Sequence, residues 1–324
     1  MTQKEINNLL QLLCSEDESN VLMAIQIFRG FNKIPKCLQL ALSWACYSEY
    51  HQVRIEAQSL MEERIGKEML AELTNSLVVL VKGDTDKYIV FEDHIKALKL
   101  NNSEMLQAFY AHRDSYARLI KMNSNYLKIC LQAGIFWMYH GKRYTPKTRI
   151  FFEMILQSYP THPYALFCLA HNYQCTEKQK KKALQYYQLF LKYHPNVTAT
   201  DSMKEVYRNV FYVDIDLPTT MNAYQNIAYC YHFYLQNNTK AIHYYRKAKE
   251  CISENHAFAF DSFAKLLWTH SRNAALALQI AQEGLTLLER KDLPQELFFG
   301  ILSFTIYNRK SRLRELIEEI QQNK

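Results

Sequence analysis

The chain has 324 residues and a formal net charge of +7, and its seven Gly and seven Pro are too few for an all-β protein with many turns. This mild positive charge permits contact with nucleic acid but does not require it. Eight single cysteines without C-x-x-C spacing argue against a disulfide framework and favour reduced thiols in a cytoplasmic protein. From the sequence we also expect neither a signal peptide nor a membrane span.

Two apolar stripes at helical spacing occupy the N-terminus. The first contains Leu9, Leu10, Leu12 and Leu13, and the second, after an acidic turn over residues 15–20, contains Val21, Leu22, Ile25 and Phe28. We therefore expect residues 1–122 to form an N-terminal helical region. The pattern resembles HEAT-type helix hairpins, and an ordinary helical bundle fits it equally well.

Residues 61–124 are harder to interpret. Residues 77–81 and 88–91 are rich in β-branched and aromatic residues, and they could pair as a hairpin around the sequence GDTD. Short apolar runs do not separate a strand from a buried helix, and the helical surroundings favour helices here. Residues 104–122 then read as a helix that leads into the next region.

Five small residues set a repeat frame in the remainder of the chain. They are Gly134, Ala170, Ala228, Ala264 and Gly300. Successive members are 36, 58, 36 and 36 residues apart, and the distance of 58 is one period of 36 plus 22 additional residues. Large residues stand four before, one before and three after each of the middle three, which places all of them on one helix face. A small residue recurs thirteen positions later, at Ala183, Ala241 and Ala277. The frame predicts helix hairpins that cross closely at these small residues.

This pattern resembles the tetratricopeptide repeat family over roughly residues 125–323. Three departures stand out. The family's Gly is Ala in three repeats, the hairpin is one residue longer, and proline follows the second helix only at Pro195. The resemblance implies an all-α fold, an α-solenoid of helix hairpins over residues 123–324, in which the first helix of each hairpin lines a concave face.

An insertion at about residues 197–219 interrupts the frame. Ser202 and Glu205 have capping-box spacing, which predicts a short helix, and residues 210–218 are rich in β-formers and end in Pro218. The segment either packs on the array or only fills the gap between two repeats.

No motif for catalysis or for a cofactor is present. A glycine-rich phosphate loop, a nucleophile elbow and an H-E-x-x-H zinc motif are all missing from the sequence. Asp214 and Asp216 lack a third ligand nearby. Cys168, His171 and Cys175 share a helix face, but they would need a fourth ligand from elsewhere. We therefore expect a non-enzyme with no cofactor and no metal.

Two basic clusters bear on nucleic-acid binding. One contains Lys178 and residues 180–182, and the other contains Arg309, Lys310, Arg312 and Arg314. Phosphate binding uses a continuous basic stripe with stacking aromatics, whereas these clusters are separate and are expected on outer surfaces. Nucleic acid is therefore an unlikely partner, and the expected partner is a protein or an extended peptide.

The resemblance also implies a partner-binding groove. Its side chains come from three successive first helices: Phe167, His171, Gln174, Asn222, Gln225, Asn226, Tyr229, His232, Asp261, Lys265 and Trp268. Amides of this kind pair with a peptide backbone and aromatic rings cover its side chains. The Lys/Asn carboxylate clamp of chaperone-tail binders does not match here, because Phe167 and His171 stand at two of its positions. The expected function is a non-catalytic scaffold or adaptor; the alternatives are a peptide-sensing regulator and an RNA-binding helical repeat.

Overall fold

The computed structural model describes residues 1–71, 107–108, 111–122, 127, 130–131, 134, 148–176, 179–197, 219–251, 258–289 and 306–323. These residues form helices and their connections and contain no strand, which confirms the all-α prediction for the part described. The segment around GDTD, where helices are expected, the insertion between residues 198 and 218, and Gly300 lie outside the described residues.

The helices of the described chain fall into two compact units, one of residues up to Thr176 and one of residues from Gln179 onward. The predicted boundary after residue 122 stays a prediction. In the first unit the helices are α1 (Gln3–Leu13), α2 (Glu18–Arg29), α3 (Lys36–Ala45), α4 (His51–Ile65), α5 (Arg113–Met122), α6 (Arg149–Ser158) and α7 (Pro163–Cys175). In the second they are α8 (Lys180–Tyr193), α9 (Thr220–Tyr229), a π-helical turn (Cys230–Tyr234), α10 (Asn238–Glu250), α11 (Phe260–Thr269), α12 (Ala274–Leu288) and α13 (Ile306–Gln322).

The N-terminal stripes form helices with defined starts. Thr2 and Glu5 make a capping box at α1, and the Asp17 carboxylate accepts from the Ser19 amide at the start of α2. Most stripe residues are buried, and Leu12 and Leu22 are half-buried; the buried ones are Leu9, Leu10, Leu13, Val21, Ile25 and Phe28. The two predicted stripes are therefore the packing faces of α1 and α2, which contact one another.

The first unit continues through α5, α6 and α7. The Tyr116 hydroxyl on α5 donates to the Cys37 carbonyl on α3 at 2.8 Å, and its ring meets Trp44 edge-on at 5.6 Å. α6 packs against both α5 and α7. Gly134 faces α6 so closely that an added Cβ would lie 2.9 Å from the Phe152 ring and 3.0 Å from Phe151 Cβ. This is the close approach that the repeat frame predicts at Gly134.

Helices of the second unit pack mainly on their neighbours along the chain: α8 on α9, α9 on α10, α10 on α11, α11 on α12, and α12 on α13. The small frame residues in the described part of this unit are fully buried: Ala183, Ala228, Ala241, Ala264 and Ala277. Ala228 and Ala241 belong to one core cluster, which agrees with the predicted crossing of α9 and α10. Ala170 and Ala183 lie in different units, so their predicted contact stays a prediction.

The turn before the second helix has the same geometry in two successive hairpins. Gln236 and Arg272 both have φ of 51°, and 36 residues separate them. The next residues, Asn237 and Asn273, both cap the following helix by accepting from the amide three residues on. The repeat period read from the sequence is therefore also a period of backbone conformation in α9 to α12.

Gly284 marks a close contact that the repeat frame does not contain. It lies in α12, and an added Cβ would come 2.4 Å from Phe260 Cβ and 2.5 Å from Phe260 Cγ on α11. Real carbon atoms do not approach so closely. Only glycine fits this helix crossing without a shift of the backbone.

Candidate functional site

An exposed apolar cluster lies at the end of α9, in residues 229–235, hereafter the aromatic turn. Phe233, Tyr234 and Leu235 are 47%, 41% and 37% exposed. The α-helix widens here into one π-helical turn, in which the Leu235 amide donates to the Cys230 carbonyl at 3.0 Å. A π-turn of this kind is a common ending of an α-helix.

The rings of the aromatic turn pack against each other. Phe233 lies 4.3 Å from the Tyr229 ring and 4.1 Å from the His232 ring between centroids. Tyr231 stacks on Tyr244 of α10 at 5.6 Å with an interplanar angle of 10°. Such aromatic pairs hold rings in place beyond the effect of burial alone. The turn therefore presents a fixed apolar surface.

Two lysines from different helices cover rings of this one turn. Lys180 Nζ, at the start of α8, lies 3.7 Å from the Tyr234 ring centroid, and Lys240 Nζ, in the first turn of α10, lies 5.3 Å from that of Tyr231. Both distances are in the range of a cation–π interaction. The aromatic turn is thus flanked by ammonium groups on two sides.

The exposed residues of the turn are not required by the repeat geometry. In the next hairpin, 36 residues later, the positions of Phe233, Tyr234 and Leu235 are occupied by Thr269, His270 and Ser271. That second turn has the same φ and the same cap without them. Three consecutive exposed apolar side chains at one of two equivalent turns therefore form a candidate interaction surface.

His232 is held between the turn and the core of the second unit. Its ring is 6.3 Å from the Tyr245 ring in an edge-on arrangement, and burial lowers its pKa. Its Nδ1 is buried without a hydrogen-bond partner. The imidazole is therefore neutral near pH 7 and packs as an aromatic ring.

Four of the predicted groove residues are buried. Phe167, His171 and Gln174 lie on α7, where every residue from Pro163 to Gln174 is buried, and Asn222 is the partner of Thr219 in the capping box of α9. α7 has apolar residues all round its axis, and a helix of this kind is enclosed on every side. Contrary to the expectation of an open groove, these four side chains do not face solvent.

Three further predicted groove residues are engaged within the second unit. Gln225 Oε1 accepts from the Ala259 amide at 2.7 Å, and Trp268 Nε1 donates to Glu319 Oε1 at 3.1 Å. Asp261 forms ion pairs with Arg309 at 3.9 Å and Arg312 at 3.6 Å. These hydrogen bonds and ion pairs connect α11 to neighbouring helices. The three side chains therefore have a structural role within the second unit.

The other predicted groove residues lie partly or fully at the surface. Lys265 is exposed, and Asn226, Tyr229 and His232 are half-buried. Tyr229 and His232 belong to the aromatic turn, whereas the prediction missed its most exposed members. The sequence feature that could have indicated these residues is the apolar run Phe233, Tyr234 and Leu235, which extends beyond the last position of the repeat pattern.

Of the candidate metal ligands, Cys168, His171 and Cys175 lie in α7, whereas Asp214 and Asp216 fall outside the described residues. His171 Nε2 lies 3.2 Å from Cys175 Sγ, and burial raises the pKa of the Cys168 thiol to about 12. Within the described ranges, no three His, Cys, Asp or Glu side chains are grouped to hold a metal ion. All eight cysteines are among the described residues, and none of them is in a disulfide.

Of the described helices, none is both long enough and apolar enough to cross a bilayer. No protein-family model, curated protein or solved structure matches the chain.

Proposed function

We propose that this chain is a non-catalytic protein-binding scaffold or adaptor of the cytoplasm. Its second half is an α-solenoid of tetratricopeptide-like hairpins, and the aromatic turn is its principal contact surface for a peptide segment of the partner. The observation that carries the proposal is the exposure of Phe233, Tyr234 and Leu235 at a turn whose equivalent is polar.

The array is supported by two features of the second unit. Helices contact their chain neighbours in succession, as they do in stacked repeats. The turns at Gln236 and Arg272 share φ and capping although their other residues differ. A recurring backbone conformation at the sequence period is what a repeat array requires.

The contact surface is supported by its rigidity and composition. Aromatic residues dominate the energetics of many protein interfaces, and rings that are fixed before binding lose little entropy when a partner docks. Phe233 is held by Tyr229 and His232, and Tyr234 is held under Lys180. Of the predicted groove, this surface retains Tyr229 and His232, with Asn226 and Lys265 as further contacts.

The test replaces the turn residues with those of the equivalent turn: Phe233→Thr, Tyr234→His and Leu235→Ser. The tagged full chain and this triple variant are used to capture partners from native lysate, and mass spectrometry quantifies them. We expect the partners recovered with the natural chain to be lost with the variant, while circular dichroism shows an unchanged helical fold.

A matched control removes exposed apolar side chains from the first unit. Met23 and Ile55 are 53% and 45% exposed, so Met23→Ala/Ile55→Ala removes a similar amount of apolar surface elsewhere. This control is expected to keep the partners. Equal recovery with the triple variant and the natural chain would contradict the proposal.

A further inference from the structure

The helices around the aromatic turn carry a strong excess of positive charge. The described residues 179–197 and 219–251 contain eight basic side chains and one acidic side chain, Glu250: Lys180, Lys181, Lys182, Lys192, Lys240, Arg246, Lys247 and Lys249. The intervening residues 198–218 add four acidic and two basic side chains, so the whole range 179–251 remains basic. Such a field attracts anionic partners.

The two lysines that flank the aromatic turn lie at positions where a positive charge is unfavourable for helix stability. Lys180 and Lys240 are in the first turns of α8 and α10, and neither first turn contains an acidic residue. The N-terminus of a helix carries a partial positive charge, which disfavours a cation there. Both ammonium groups instead contact rings of the aromatic turn, Lys180 that of Tyr234 and Lys240 that of Tyr231.

The arrangement of these lysines distinguishes between two anionic partners. A nucleic-acid base stacks on the open face of an aromatic ring. Lys180 covers a face of Tyr234, Lys240 covers a face of Tyr231, and Lys247 lies 5.6 Å from the Tyr224 centroid. Ring faces occupied by ammonium groups are poor sites for bases, whereas the ammonium groups themselves suit carboxylates.

From this geometry we infer that the aromatic turn, taken as the contact surface proposed above, selects an acidic peptide segment that also carries hydrophobic side chains. Phe233 and Leu235 contact an apolar side chain of the segment. Lys180 and Lys240 bind carboxylates on either side of it. The inference rests on the proposed function and adds the chemical class of the partner.

The test measures fluorescence anisotropy of a dye-labelled Glu-rich peptide containing Leu and Phe, titrated with the full chain. We expect binding that weakens with added salt, because exposed charges are screened. Lys180→Glu/Lys240→Glu is expected to weaken it about tenfold, since exposed charge pairs each contribute modestly and two are reversed. Glutamate at the start of a helix is favourable, so this variant is expected to fold.

The matched control reverses two exposed lysines of the first unit, Lys33→Glu/Lys67→Glu, which changes the net charge equally. It is expected to change affinity less than about twofold. A single-stranded oligonucleotide of the same charge is the competing probe. Tighter binding of the oligonucleotide would overturn the inference in favour of nucleic acid, and equal losses in both charge variants would overturn it as non-specific attraction.

The two proposals fail separately. If the lysate partner depends on Phe233, Tyr234 and Leu235 but not on Lys180 and Lys240, the contact surface stands and the acidic class is wrong. If the triple variant captures every partner and also binds the acidic peptide as the natural chain does, the contact surface itself is wrong.

Discussion

Replacing Gly284 with alanine sets two known effects against each other. Gly284 lies inside α12, where alanine is favoured over glycine by about 1 kcal/mol through helix propensity. The new Cβ, however, would lie 2.4 Å from Phe260 Cβ, more than 1 Å inside the usual carbon–carbon contact of about 3.5 Å. The outcome therefore shows whether α11 and α12 are as close as described.

We expect the steric clash to outweigh the gain in helix propensity, so that Gly284→Ala destabilises the protein. Overpacking a core costs about 1–3 kcal/mol, and the upper end applies because Phe260 Cβ is fixed to the backbone and no rotamer change can move it. After the gain in helix propensity, the net loss of unfolding free energy is about 2 kcal/mol. At about 2.1 cal/mol/K of unfolding entropy per residue, a chain of 324 residues that unfolds as one unit then loses about 3 °C in melting temperature.

The assay is thermal unfolding followed by circular dichroism, with Gly30→Ala as the control. Gly30 ends α2 with φ of −75°, and its nearest atom to an added Cβ is the Ile27 carbonyl oxygen at an ordinary 3.4 Å. Its replacement is expected to change stability by less than about 0.5 kcal/mol. A melting temperature for Gly284→Ala at or above that of the natural chain would refute the close crossing.

Three further predictions follow from burial. Asp261→Asn removes a carboxylate that pairs with the buried Arg309 guanidinium and should cost about 3 kcal/mol in denaturant unfolding, whereas Arg312→Ala, which removes the more exposed arginine paired with the same carboxylate, should cost less than about 1 kcal/mol. Burial lowers the pKa of His232 in the folded state, so as the pH falls below about 6.5 the unfolded chain binds a proton before the folded chain does. The free energy of unfolding should therefore fall as the pH falls. The decrease should be smaller in His232→Asn, as measured by melting temperatures above and below that pH. Alkylation of the native chain, read by mass spectrometry, should modify first the three half-buried thiols, since the other five are buried: Cys37, Cys175 and Cys251.

Several features of the fold were predictable from the sequence because they leave a periodic trace. Leu9 and Leu13 repeat at helical spacing and are buried. Ala228 and Ala241 follow the repeat period and lie in one core cluster. The resemblance to tetratricopeptide repeats stays a prediction, because packing of chain neighbours is compatible with the family without being specific to it.

The features that were missed depend on contacts rather than on period. Gly284 inside a helix reads only as a weak helix former, and its close contact appears once α11 is in place. Gln225 and Asp261 look like surface residues in the sequence, yet their partners are the Ala259 amide and the arginines of α13. The aromatic turn follows from the π-helical widening after Tyr229, which local sequence patterns do not encode.

Amide hydrogen exchange of the full chain, with and without the partner captured from lysate, tests the central claim most directly. The partner should slow exchange in peptides that cover the aromatic turn and the first turns of α8 and α10. Exchange in α1 to α4 should not change. Protection confined to those N-terminal helices, with none at the aromatic turn, would contradict the account.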